Sequence, residues 1–166
     1  MSSGIQILGM SLAAFTQLHV ALSLIGILSG LVVLLGMLGS KPLNAITALF
    51  LITTVLTSLT GFLYPFHGVT PGIIIGVLSM IVLLLAILAR YAFHYAGGWR
   101  ATYVVTSVIA LWFNVFVLIV QSFEKVPALH ALAPTQTESP FKITQIVVLA
   151  VFIVLGVRAV RKFHPV

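Results

Sequence analysis

The sequence has 166 residues, of which 61% are apolar and 6% are charged, and its formal net charge is +6. Soluble domains carry roughly 25% charged residues, so this composition excludes a soluble globular protein and predicts an integral membrane protein. The basic residues are scattered along the chain, which favours an effect of membrane topology over a nucleic-acid partner. Because Cys and Asp are both absent, disulfides, thiolate metal sites and paired-aspartate chemistry are excluded.

The first ten residues, MSSGIQILGM, contain no basic residue. We expect them to stay on the mature protein, because a secretory signal begins with a positively charged region. Five apolar segments follow, each close to the roughly 20 residues that cross a bilayer. They predict an all-α bundle of five transmembrane helices forming one polytopic domain, residues 1–166. The predicted helices cover residues 12–38, 43–64, 72–93, 101–123 and 142–158.

Charge placement supports five crossings. Six basic residues then fall on one side of the membrane: Lys41, Arg90, Arg100, Arg158, Arg161 and Lys162. Only Lys125 and Lys142 fall on the other side, beside both glutamates. The positive-inside rule therefore predicts an N-terminus outside and a cytoplasmic C-terminus. We expect the membrane to be a bacterial inner membrane.

The longest loop covers about residues 124–140, EKVPALHALAPTQTESP. Loops of this length are often functional or mobile. Within it, PALHALA lies between prolines and is compatible with a single interfacial helical turn or with a plain linker, of which we favour the linker.

Polar side chains recur at helical spacing along four of the predicted helices, which marks the faces that avoid lipid. In the first helix, Gly26 and Gly30 form a GxxxG pattern that allows close helix packing. The fifth helix has few polar positions, and we expect it to be the most lipid-exposed. The stripes are His19, Ser23, Gly26 and Gly30; Thr53, Thr57, Thr60 and Tyr64; Gly72, Gly76, Ser79 and Arg90; and Tyr103, Ser107, Ala110, Asn114 and Gln121.

The stripes predict a polar pocket in the outer-leaflet half of the bundle. At 1.5 Å of rise per residue, His19 and Asn114 are expected at similar depths, about 10 Å below the outer boundary. The predicted ligand-binding residues are His19, Thr57, Thr60, Asn114 and Gln121, with His67 and His130 at the mouth. A purely structural alternative has His19 bonded to Asn114 or to a threonine across the bundle, and the threonines bonded to carbonyls of their own helix.

Several ligands suit such a pocket. His19, His67 and His130 are candidate ligands for zinc or copper, with Met10 or Met80 as additional soft ligands for Cu(I). A b-type haem would need two facing imidazoles, whereas a quinone would need a His and an Asn or Thr to bond its carbonyls. No HExxH, GxSxG, P-loop or dinucleotide fingerprint is present, so no catalytic residue is predicted and an enzymatic activity is left open.

Two functions follow from these patterns. The first is a small inner-membrane protein that binds a quinone-like molecule, a metal or haem in its outer-leaflet half. The second is a non-catalytic accessory subunit, whose packing faces serve assembly with other membrane proteins or with further copies of itself.

Overall fold

The computed structural model describes residues 6–65, 68 and 70–165. The predicted ligand His67 lies outside the described residues. So do residues 1–5, which form part of the N-terminal segment that we expect to stay on the mature protein. The elements in chain order are β1 (Gln6–Ile7), β2 (Met10–Ser11), α1 (Leu12–Leu38), α2 (Asn44–Gly61), α3 (Pro71–Ile87), a π-helical turn (Leu88–Ala92), α4 (Trp99–Lys125), α5 (Pro127–Leu132) and α6 (Ser139–Lys162).

Five helices in the described part of the chain are long and apolar enough to cross a membrane, counting α3 with its π turn as one, which confirms the predicted number. Among these helices, α6 differs most from its predicted bounds, since it has 24 residues rather than the predicted 17 or so. It starts earlier because Pro140 fits the first turn of a helix. It ends later because Arg161 and Lys162 can extend their long side chains toward water and favour the C-terminal end of a helix.

Local signals set several helix ends. Ser11 caps α1 by accepting a hydrogen bond from the backbone N–H of Ala14, and Thr70 caps α3 in the same way. After α1, Ser40 takes a left-handed conformation with φ 57°. The N–H groups of Ser40 and Lys41 then bond Met37 O and Gly36 O, the two hydrogen bonds of a Schellman motif.

Helices α1 and α4 lie at the centre of the bundle: α1 packs against α2, α4 and α6, and α4 packs against α1, α3 and α6. Helix α3 packs between α2 and α4. The buried core residues come mainly from α1, α2 and α4. In α6 only Phe152 and Ala159 are buried, so this helix is the least buried of the five membrane-length helices. That it faces lipid stays a prediction.

Two small elements differ from the prediction. Residues 127–132 of the long loop form the short helix α5, so the linker interpretation that we favoured is wrong. Pro127 occupies its first turn, where a missing N–H costs nothing. The strands β1 and β2 were not predicted; they form a two-residue antiparallel hairpin turning at Leu8 and Gly9, both with positive φ.

Several long-range contacts bring six of the basic positions to one end of the bundle. Arg100 donates to Val160 O and Phe163 O at the end of α6, each at 2.7 Å. The N–H of His164 donates to Ser40 Oγ at 2.9 Å, which joins the end of α6 to the α1–α2 loop. We call this the basic end, and the opposite end, where α1 begins, the His19 end.

Candidate ligand site around His19

His19 lies two turns inside α1 and is half-buried. Its Nδ1 lies 2.8 Å from Thr60 Oγ1 on α2, so the imidazole bridges the two helices. Thr60 Oγ1 also lies 2.8 Å from Leu56 O, the carbonyl one turn earlier in its own helix. A hydroxyl carries one proton, so both contacts are hydrogen bonds only if Thr60 donates to Leu56 O and His19 donates to Thr60 through Nδ1–H. We assign His19 this tautomer because it satisfies both contacts.

The proton on Nδ1 also determines the role of Nε2, on the other side of the ring. In a neutral imidazole with a protonated Nδ1, Nε2 carries the lone pair. Within the described residues, Nε2 makes no hydrogen bond. His19 thus presents a half-buried acceptor nitrogen that no described residue bonds.

Aromatic rings form one wall beside His19. The ring of Tyr64 meets the imidazole edge to face at a centroid distance of 5.5 Å, and Phe15 packs against Tyr64 at 5.2 Å. The Tyr64 hydroxyl donates to Thr16 Oγ1 at 3.1 Å, which fixes this ring across the α1–α2 interface. Gly61 of α2 also lies beside the imidazole, since an added Cβ would be in ordinary van der Waals contact with His19 Cε1, at 3.7 Å.

A second polar contact lies deeper in the bundle. Asn114 Nδ2 donates to Thr54 Oγ1 at 3.3 Å, and Gly26 leaves room for both groups, since an added Cβ there would lie 3.2 Å from Thr54 Oγ1 and 3.5 Å from Asn114 Nδ2. One turn further along α1, a Cβ on Gly30 would come within 2.6 Å of Leu111 and 2.8 Å of Phe50. The two glycines therefore lie where α1, α2 and α4 approach most closely.

The two polar contacts are not at the same depth, contrary to our expectation. Helix α4 continues to Lys125, which places Asn114 about 16 Å from that end against about 10 Å for His19 from the start of α1. Thr54 and Thr60, the partners of Asn114 and His19, are likewise separated by more than one turn of α2.

The remaining predicted residues do not join His19. Thr57 donates to the carbonyl of Thr53, one turn earlier in α2. Gln121 donates to Glu124 near the end of α4, and His130 is exposed on α5. The described residues contain no group of three His, Cys, Asp or Glu side chains that would hold a metal ion.

The basic end contains a polar cluster that sequence reasoning missed. Arg90, which the sequence placed on the polar stripe of the third helix, is 7% exposed and lies in the π turn that ends α3. Its Nη2 donates to Asn44 Oδ1 at 2.7 Å. Its Nη1 donates to the Tyr95 hydroxyl, and lies 3.4 Å from the Tyr103 hydroxyl and 3.5 Å from Pro42 O.

The backbone is bent to build this cluster. His94 and Tyr95 both have positive φ, 46° and 61°, and the N–H of Tyr95 donates to Ala89 O at 3.0 Å. The chain thereby folds back and places the Tyr95 ring over the Arg90 guanidinium, 5.7 Å from Cζ. Burial, followed by the neighbouring Tyr103, raises the pKa of Tyr95. π turns and left-handed residues recur at functional sites, but neither has a sequence signature here beyond the aromatic run after Arg90.

No protein-family model, no curated protein and no solved structure matches this chain.

Proposed function

We propose that this chain is an inner-membrane protein, with its basic end in the cytoplasm, that binds a small amphiphile of the quinol class at His19. The orientation follows from the basic residues gathered at one end. Such a molecule reaches the site from the lipid, and its ring lies against Tyr64.

The observation that carries the proposal is the unused nitrogen of His19. With Nδ1–H donated to Thr60, Nε2 accepts a hydrogen bond or binds a metal. A quinol offers a hydroxyl donor, whereas a quinone offers only carbonyl acceptors. A neutral His19 in this arrangement therefore favours the reduced form of the ligand. Any redox chemistry belongs to the ligand, and His19 acts as a proton acceptor for its hydroxyl.

A metal or a haem is supported less well by the same geometry. His130 is exposed on α5 and does not join the His19 contact network. Among the described residues no second imidazole contacts His19, whereas a bis-imidazole haem needs two facing rings. A lone acceptor nitrogen beside an aromatic wall suits one polar ring substituent in an apolar setting.

The test is a titration of the detergent-purified protein with a short-chain benzoquinol and, separately, with its oxidised form. We expect the reduced form to bind more tightly, and His19→Ala to weaken its binding roughly tenfold or more. Thr60→Val removes the acceptor of Nδ1–H and should abolish the preference for the reduced form. His130→Ala, which changes an exposed histidine, is the matched control and should bind normally.

Two results contradict the proposal. One is unchanged quinol binding by His19→Ala, particularly if that variant loses much of its thermal stability, because His19 would then be a structural hydrogen-bond donor. The other is a purified protein that carries haem, by visible absorbance, or stoichiometric zinc or copper, by elemental analysis.

A second candidate function, an accessory subunit of a larger membrane complex, is favoured by the outer face of α6. Only two of its 24 residues are buried. A cleft of about 210 Å³ lies between α4 and α6 and is lined by Val108, Trp112 and Gly156 among others. Gly156 brings the two helices together, since a Cβ there would lie 3.3 Å from Val108 Cγ1. Stoichiometric copurification with a larger complex would support this function, and recovery as a ligand-loaded single chain would contradict it.

A further inference from the structure

Within the part of the chain that the structure describes, the buried guanidinium of Arg90 has neutral partners alone. They are the Asn44 side-chain carbonyl, the Pro42 backbone carbonyl and the hydroxyls of Tyr95 and Tyr103. The rings of Tyr91, Tyr95 and Tyr103 lie within 5.7 Å of Cζ. Dipoles and aromatic faces partly replace water around a cation, but none of these groups neutralises its charge.

No side-chain carboxylate is placed to pair with Arg90. The sequence has only two, Glu124 in the last turn of α4 and Glu138 just before α6, and both lie at the His19 end. A buried charge is costly unless it is paired. Among the described residues no anionic group lies beside Arg90, so its surroundings favour an added anion.

An apolar cleft lies next to Arg90. It has a volume of about 390 Å³, lies between α2 and the end of α3, and is lined by Ala48, Leu51, Ile52, Val55, Leu56, Ile87 and Tyr91. Tyr91 joins the two features, because it lines the cleft and its ring centroid lies 5.4 Å from Arg90 Cζ. Along α2, the lining from Ala48 to Leu56 spans about 12 Å, enough for much of an acyl chain.

We propose that Arg90 and this cleft form a binding site for an anionic phospholipid. An acyl chain occupies the cleft, and a phosphate oxygen takes the place of the Asn44 carbonyl on Nη2 of Arg90. Asn44 is exposed, so its amide can turn away without disturbing the core. Arg90 lies two residues before the end of its membrane span at Ala92, the depth at which headgroup phosphates meet the hydrocarbon. This site is independent of the one at His19.

The experiment measures the melting temperature of the detergent-purified protein with added phosphatidylglycerol, phosphatidylcholine or inorganic phosphate. Phosphatidylglycerol should raise the Tm by roughly 5 °C near saturation, while the zwitterionic lipid and inorganic phosphate should have little effect. Arg90→Gln should lose the response. Arg158→Gln, which removes an exposed basic residue at the same end, should keep it.

A second variant keeps the test decisive if Arg90→Gln does not fold. Ile52 lines the cleft and is 58% exposed, so Ile52→Trp fills the cleft without changing the core or any charge. It should leave the Tm of the lipid-free protein unchanged and abolish most of the rise. An equal rise in Ile52→Trp and wild type would overturn the proposal, as would equal rises in Arg90→Gln and Arg158→Gln. A rise with inorganic phosphate as large as that with lipid would also overturn it, because the acyl chain would then play no part.

Discussion

At the basic end, two arginine side chains bond groups that are far away in the chain, whereas at the His19 end most hydroxyls bond the carbonyl of their own helix. Arg90 reaches the start of α2 and Arg100 reaches the end of α6. In contrast, Thr16 and Thr57 donate to carbonyls four residues earlier. Polar side chains therefore serve different purposes at the two ends of the bundle.

Contacts of the first kind hold helices together, because their loss leaves buried partners unsatisfied. Contacts of the second kind satisfy the hydroxyl within a single helix and do not hold that helix to its neighbours. Contacts of the first kind also occur at the His19 end: His19 joins α1 to α2 through Thr60, and the Tyr64 hydroxyl donates to Thr16 Oγ1. A ligand site is expected where a nitrogen stays unused and the surrounding packing is less constrained, which describes the His19 end.

The largest effect that separates the two ends is expected for Arg90→Ala. The substitution leaves Asn44, Tyr95 and Tyr103 without their shared donor, and should lower the free energy of unfolding by about 3 kcal/mol. Chemical unfolding in detergent measures it, with Arg158→Ala as the exposed control. A loss no larger than that of the control would show that the Arg90 cluster does not stabilise the basic end.

This contrast between the ends was only partly predictable from the sequence. The number of helices and the end of α1 at Gly39 and Pro42 follow from long apolar runs and local breakers. The partner of His19 was limited to Asn114 or a threonine, because those were the polar groups facing the bundle. The sequence could not choose between them, since the choice depends on how α1, α2 and α4 are aligned along the bundle.

The Arg90 cluster illustrates what the sequence does not determine. A π turn differs from an α-helix by one residue of hydrogen-bond register, and here it accompanies the capture of Arg90 by Asn44, 46 positions away. His94 and Tyr95 also adopt left-handed conformations, which are uncommon for residues other than glycine, although histidine adopts them more often than most. The helical turn at α5 depended on weak local preferences and was wrongly predicted as a linker.

A smaller effect is expected for His19→Ala. The variant loses one hydrogen bond to Thr60 and one edge contact with Tyr64, and the free energy of unfolding should fall by about 0.5–1 kcal/mol. Unfolding under the conditions used for Arg90→Ala gives a direct comparison, and His130→Ala serves as the control. A loss as large as that of Arg90→Ala would mean that both ends are held by buried polar contacts, which would remove the contrast between them.

The smallest effect concerns the loop before α6 at the His19 end. Desolvation raises the pKa of the Glu138 carboxyl, but hydrogen bonds from the Thr135 hydroxyl and from the N–H groups of Thr135 and Thr137 outweigh it, so the pKa lies below its ordinary value of 4.5. Because the folded pKa is lowered, the contribution of Glu138 to loop stability is present above pH 4.5 and is lost as the pH falls through the folded pKa.

An NMR titration of the Thr135 and Thr137 amide signals measures this loss. Both signals should move together with a midpoint below 4.5, and Glu138→Gln should abolish the transition while leaving the unfolding of the bundle unchanged. A midpoint at or above 4.5 would mean that the carboxylate is not held by these donors in solution. The loop would then lack its local anchor, and the His19 end would be looser still relative to the basic end.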